Sequence, residues 1–123
     1  MSDLILVRDD GFHPHDGAEP PVLAPATPPE QLVDLLHLDL IAIDFPAMTD
    51  GRGFSLARRL REIGYQGRLR AVGRLIADQY AMARRTGFDE VQISAELAAR
   101  QPQEQWLFRA DWQEWDHRSR LAG

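Results

Sequence analysis

Between Val22 and Ser94 the chain switches repeatedly between strand-like apolar runs and helix-spaced segments, and this alternation limits its fold more than any other feature. Leu40-Ile41-Ala42-Ile43-Asp44-Phe45 is apolar except at Asp44. Such a run suits a central parallel strand covered on both faces. Pro46 ends it, because proline cannot donate to a sheet ladder. Val22-Leu23-Ala24 reads as a shorter strand before it. Gly67 to Val72 places Leu69 and Ala71 on one face and Arg68 and Arg70 on the other. Val91 and Ile93 alternate with Glu90, Gln92 and Ser94, as a half-exposed strand does.

Helices fall between these strands. Thr27-Pro28-Pro29-Glu30 combines a capping threonine, a proline at the first helical position and a glutamate three residues on, which predicts a helix to about His37. Phe54 to Ile63 buries Leu56, Leu60 and Ile63, with Gly64 as its C-cap. Leu75 to Thr86 carries Ile76, Tyr80 and Ala83 on one stripe and closes at Gly87. Strands alternating with helices across short loops predict a single three-layer α/β domain. Its sheet should be mostly parallel, with about four strands joined by right-handed βαβ crossovers. Two versions stand, a flavodoxin-like sheet or part of a (β/α) barrel, the latter completed by a second copy in a homodimer.

The core is expected over residues 22–100. Residues 1–21 form an arm that begins with the apolar Leu4 to Val7 and continues as a polar stretch rich in proline and glycine. Within it His13 and His15 have His-x-His spacing, but the proline-rich setting reads as loop rather than metal site. Residues 101–123 form an aromatic tail that holds Trp106, Trp112 and Trp115.

Several kinds of chemistry are excluded. The chain has no cysteine, which removes disulfides, thiol catalysis and cysteine-held clusters. Every one of its 14 basic residues is arginine, so no lysine is present to form a Schiff base or grip a phosphate. A net charge of −5 gives no general attraction to nucleic acid or an anionic membrane. No apolar run approaches the roughly 18 residues that span a bilayer, and Met1-Ser2-Asp3-Leu4 lacks the basic start of a secretory signal. A cytoplasmic location is the expectation. No cofactor motif is present: Gly51 and Gly53 begin a dinucleotide-like pattern, but Leu56 stands where its third glycine belongs.

Ligands of open parallel sheets bind at the carboxyl ends of the strands. That rule selects Pro46 to Gly53, Gly73-Arg74 and the surroundings of Ser94. Thr49-Asp50-Gly51-Arg52-Gly53 aims an arginine between glycines at a helix start, with Ser55 close behind, and Arg74 leads the next helix. One reading is a site where Arg52 and Arg74 grip a small anion or a partner. The other is a tight turn in which Arg52 pairs with Asp50 or Asp44. Asp78 and Gln79 are expected to brace this loop. Asp44, at the end of a buried strand, is either a catalytic acid or a satisfied structural carboxylate, and without a paired acid or base the structural reading leads. The tail can be drawn as a helix from Gln105 to Arg118, either packed on the sheet or serving as a docking surface, since aromatics concentrate at interface hot spots.

Phe45 to Arg58, Leu60-Arg61-Glu62, Gly64-Tyr65, Gly67 to Gly73, Asp78-Gln79 and Gly87-Phe88-Asp89 resemble a bacterial family catalogued as domain of unknown function 934. The resemblance covers about Leu38 to Ser94, and its Asp-Gly-Arg-Gly and Leu-Arg-Ala-Val-Gly blocks are specific. Members carry an oxidoreductase label, for which no motif in this chain accounts, and are encoded beside the haemoprotein subunit of assimilatory sulfite reductase. The resemblance therefore implies sulfate assimilation and cysteine biosynthesis, with that haemoprotein as partner. The expected role is an accessory protein; the alternative is a small enzyme or binding protein for an anion held by Arg52 and Arg74. Two positions depart from the family pattern. Thr86 stands where members often have cysteine, and Arg74 where they often have aspartate.

Overall fold

Six segments pair into one sheet in the computed structural model of the chain, which describes residues 4–47 and 49–110. They are β1 (Leu4–Arg8), β2 (Gly11–Pro14), β3 (Val22–Leu23), β4 (Leu40–Phe45), β5 (Arg68–Gly73) and β6 (Glu90–Ser94), in the order β2-β1-β6-β5-β4-β3. β3 to β6 are parallel and lie side by side in sequence order, with β4 between β5 and β3 as the apolar run predicts.

The expected four strands are thus extended to six. β1 runs antiparallel to β6, and β2 folds back on β1. The reason is hydrophobic. Ile5 and Val7 stand opposite Ile93 and Val91, and Leu6 and Val7 are fully buried, so the N-terminal segment completes the core instead of lying outside it. Without β1, β6 would be a bare edge with unpaired amides.

Helices α1 (Arg52–Glu62), α2 (Tyr80–Thr86), α3 (Ala95–Arg100) and α4 (Gln103–Leu107) complete the described architecture. Ile41, Ile43, Phe45, Leu69, Ala71, Val91 and Ile93 point to one face, where Leu56, Leu60, Tyr80, Ala83 and Trp106 pack on them in a single cluster. Consecutive parallel strands joined in one direction put their crossovers on the same side. The helices therefore form one layer, not the two expected. The strand order also lacks the reversal of winding that defines a flavodoxin-like sheet.

Two helix predictions change at their starts. The Thr27 hydroxyl donates to the Ala24 carbonyl (2.7 Å) instead of capping, and Pro28 takes the cap position of a 3₁₀ helix over Pro29–Leu35. The segment after Leu75 begins as a 3₁₀ turn at Ala77–Gln79 and becomes α2 at Tyr80. Gly64 (φ 103°) and Gly87 (φ 120°) end α1 and α2 in backbone conformations that favour glycine.

At the amino ends of the strands, Arg61 of α1 holds the loops together. Its guanidinium donates to the carbonyls of Gly87, Tyr65 and Gly67 and to the Asp89 carboxylate at 2.8–3.0 Å. A side chain at Gly87 would meet Arg61 Cγ at 2.6 Å, so the glycine also makes room for this arginine. Asp89 in turn accepts from the Leu69 amide at 2.9 Å. Arg61→Lys keeps the charge and loses the planar fork, and should destabilise the fold by about 2 kcal/mol in urea denaturation. An unchanged midpoint would show that the fork contributes nothing.

Candidate functional site

The Asp50–Gly53 block folds for local reasons. The Asp50 carboxylate accepts from the Arg52 amide at 3.1 Å and from its guanidinium at 3.0 and 2.8 Å. Hydrogen bonding to Arg52 lowers the Asp50 carboxyl below its ordinary range and raises the arginine in turn. This acid sits where the helix dipole of α1 favours negative charge. Gly53 is required by packing: a Cβ there would stand 2.5 Å from the Phe45 ring. Of the two readings of Arg52, the structure displays the pair with Asp50. Thr49, Gly51 and Ser55 are exposed, and Gly51 has open space around it.

Arg74 goes elsewhere. Its amide donates to the Phe45 carbonyl (2.9 Å), and a Cβ at the preceding Gly73 (φ 126°) would meet that same oxygen at 2.5 Å. The close approach of β4 and β5 sends Arg74 onto the rim of a cleft of about 400 Å³ at the carboxyl ends of β5 and β6. Val72, Ile76 and Leu97 give this cleft apolar walls, and Arg74, Arg100 and Ser94 give it polar ones. Among the described residues Arg74 makes no ion pair. Arg100 is paired with Glu96 at 2.7 Å. No residue of Thr49 to Gly53 lines the cleft, so the two arginines of the predicted site do not converge there.

The remaining candidates fall into structural roles. Asp78 accepts from Arg109 (2.5 Å), and the Gln79 side chain accepts from the Ile76 amide (3.1 Å), which stabilises the 3₁₀ turn. The expected brace on the Arg52 loop is corrected accordingly for Asp78. Thr86 is buried with its hydroxyl on the Ala83 carbonyl (3.0 Å), a helix-end contact. His13 pairs with Asp10, and His15 bonds Gln92; among the described residues no three or more His, Cys, Asp or Glu side chains gather as a metal site would need.

Trp106 is corrected from docking residue to core residue. It is 1% exposed, donates its indole N–H to the Gln101 carbonyl (2.9 Å) and stands edge-on to Tyr80 at 6.1 Å. Trp112 and Trp115, and the helix drawn to Arg118, lie outside the described residues.

Sequence reasoning missed one cluster altogether. On the sheet face away from the helices, Glu90 accepts from Arg70 (2.6 Å), Arg68 (2.7 Å) and Arg8 (3.0 Å). Asp16 of the arm reaches over to Arg70 at 2.7 Å. Arg70 and Glu90 are almost completely buried, which corrects the half-exposed reading of β6. Register brings the pair together, with Arg70 opposite Glu90 across β5 and β6, and no local sequence signal announces it.

A second cleft, of about 540 Å³, lies at the amino ends of the strands around Arg61 and Asp89. The donors of Arg61 are already committed to loop carbonyls and Asp89. The cleft at the carboxyl ends, with Arg74 unpaired among the described residues, is the better candidate site.

Residues 22–118 match the family model described as "Bacterial protein of unknown function (DUF934)". No curated protein and no solved structure matches the chain.

Proposed function

Because the chain belongs to the bacterial family DUF934, we propose that it is a cytoplasmic accessory protein of assimilatory sulfite reduction, assisting the sulfite reductase haemoprotein. The pathway rests on the resemblance of the Asp50–Gly53 and Leu69–Gly73 blocks. The working surface rests on one observation, the unpaired Arg74 among the described residues on the rim of the cleft. An exposed guanidinium beside apolar walls suits recognition of a negatively charged group.

A strain lacking the gene should grow slowly on sulfate and at the parent rate on sulfide or cysteine. Reintroducing the Arg74→Ala variant should leave growth on sulfate slow, while the wild-type gene restores it. Parent-like growth of the deletion strain on sulfate would remove the pathway. Full rescue by the variant would remove Arg74 from the working surface.

The second reading is a small enzyme or binding protein for an anionic ligand. Arg74 favours it, and the Arg52 fork, occupied by Asp50, does not. Turnover by the isolated chain would favour the enzyme, and an effect seen only with the reductase present would favour the accessory role.

A further inference from the structure

The cleft beside Arg74 has a division of labour that narrows its ligand. Its accessible apolar residues Leu4, Val72, Ile76 and Leu97 belong to β1, the carboxyl end of β5 and the segments that follow β5 and β6. Its polar groups are mostly donors. Arg74 offers a guanidinium with no ion pair among the described residues. The Ser94 oxygen accepts from the Leu97 amide (3.1 Å), which leaves the hydroxyl hydrogen to donate. The Gln92 carbonyl is used by His15 (3.1 Å), which leaves the amide hydrogens. The one carboxylate in the lining, Glu96, is bonded to Arg100.

A bare inorganic anion would use the donors and leave the apolar walls wet. A neutral apolar molecule would use the walls and leave Arg74 unanswered. We propose that the cleft binds a small organic anion, a carboxylate or sulfonate on a compact apolar body, with its charged end on Arg74 and its body against Val72, Ile76 and Leu97. The volume of about 400 Å³ lies within the ~300–1,000 Å³ of small-molecule sites. This proposal rests on the reading of the cleft as the working surface and is independent of the pathway.

The test is a titration of the isotopically labelled full chain, followed by amide chemical shifts, with benzenesulfonate and phenylacetate as probes. Inorganic sulfate and benzyl alcohol serve as the two halves of the ligand. Benzenesulfonate or phenylacetate should shift the amides of Arg74, Ser94 and Leu97, with saturation in the range of about 1–10 mM expected of so small a ligand. The better of the two identifies the head group. Sulfate and benzyl alcohol should each bind about tenfold more weakly, and Arg74→Ala should weaken the organic anion by about tenfold or more, the scale of one charged hydrogen bond.

Sulfate binding as tightly as benzenesulfonate would overturn the organic ligand, and benzyl alcohol binding as tightly would overturn the anion. Silence of the cleft amides at ~20 mM of either probe would overturn the proposal entirely. A growth defect on sulfate together with silent amides would leave the pathway standing and remove this ligand; binding without a growth defect would do the reverse.

Discussion

Replacing Trp106 by alanine is expected to destabilise the protein by about 4 kcal/mol, the upper range for emptying an aromatic site in a core. The indole is 1% exposed, bonds the Gln101 carbonyl and closes the cluster against Tyr80. Alanine removes the packing and leaves the Gln101 carbonyl without its donor. For a chain of this length the melting temperature should fall by roughly 15 °C. A chain ending before Gln105 loses the same ring and should unfold at least as readily. A chain ending after Ala110 keeps every described core side chain and should melt well above the shorter one. Equal melting of the two truncated chains would show that Trp106 is dispensable to the core.

Glu90→Gln should cost about 4 kcal/mol, since breaking a buried ion pair strands its partners. Three arginines converge on this carboxylate, and Arg70 is fully buried. The glutamine keeps the shape and removes the charge. Burial alone would raise the Glu90 carboxyl above its ordinary 4.5, but the bond and charge of Arg70, with Arg8 and Arg68, outweigh burial and lower it. A carboxyl lowered by folding adds stability that is complete above pH 4.5 and is lost as pH falls below that, through its folded value. Asp16 is lowered in the same sense: burial opposes the shift, and Arg70 overcomes it. Urea midpoints should therefore fall with pH below 4.5 in the wild type, and more gently in Glu90→Gln. Parallel pH profiles for the two proteins would rule out Glu90 as a source of acid sensitivity.

The parallel ladder was legible because periodicity is a local property. Ile41, Ile43 and Phe45, or Leu69 and Ala71, declare their face whatever lies beside them. Gly64 and Gly87 were legible as helix ends for the same reason. What could not be read is what depends on position across the sheet. Arg68 and Arg70 look like a solvated strand face until β6 brings Glu90 into register and the arm adds Asp16. Leu4 to Val7 looks like an appendage until it meets β6. Of the site, Arg74 followed from the rule of strand carboxyl ends. Arg100 went unnoticed because its place on the rim depends on where α3 lies. Trp106 has the same sequence character in a core as on an interface, and its burial, with the Gln101 and Tyr80 contacts, separates the two.

The pairing of β1 with β6 also governs when the chain can finish folding. β1 leaves the ribosome before the strand it needs, which ends at Ser94, and the Gln103 side chain that accepts the Phe12 amide (2.7 Å) emerges later still. The parallel strands β3 to β5 can associate as they are synthesised, each with its predecessor. β1, with its apolar Leu6 and Val7, has to wait until every parallel strand has been made. Long-range closure of this kind slows folding and leaves an apolar strand exposed meanwhile. The nascent chain thus holds a latent edge that β6 must cover, so termination before Ser94 leaves an adhesive fragment and not a smaller version of the same domain.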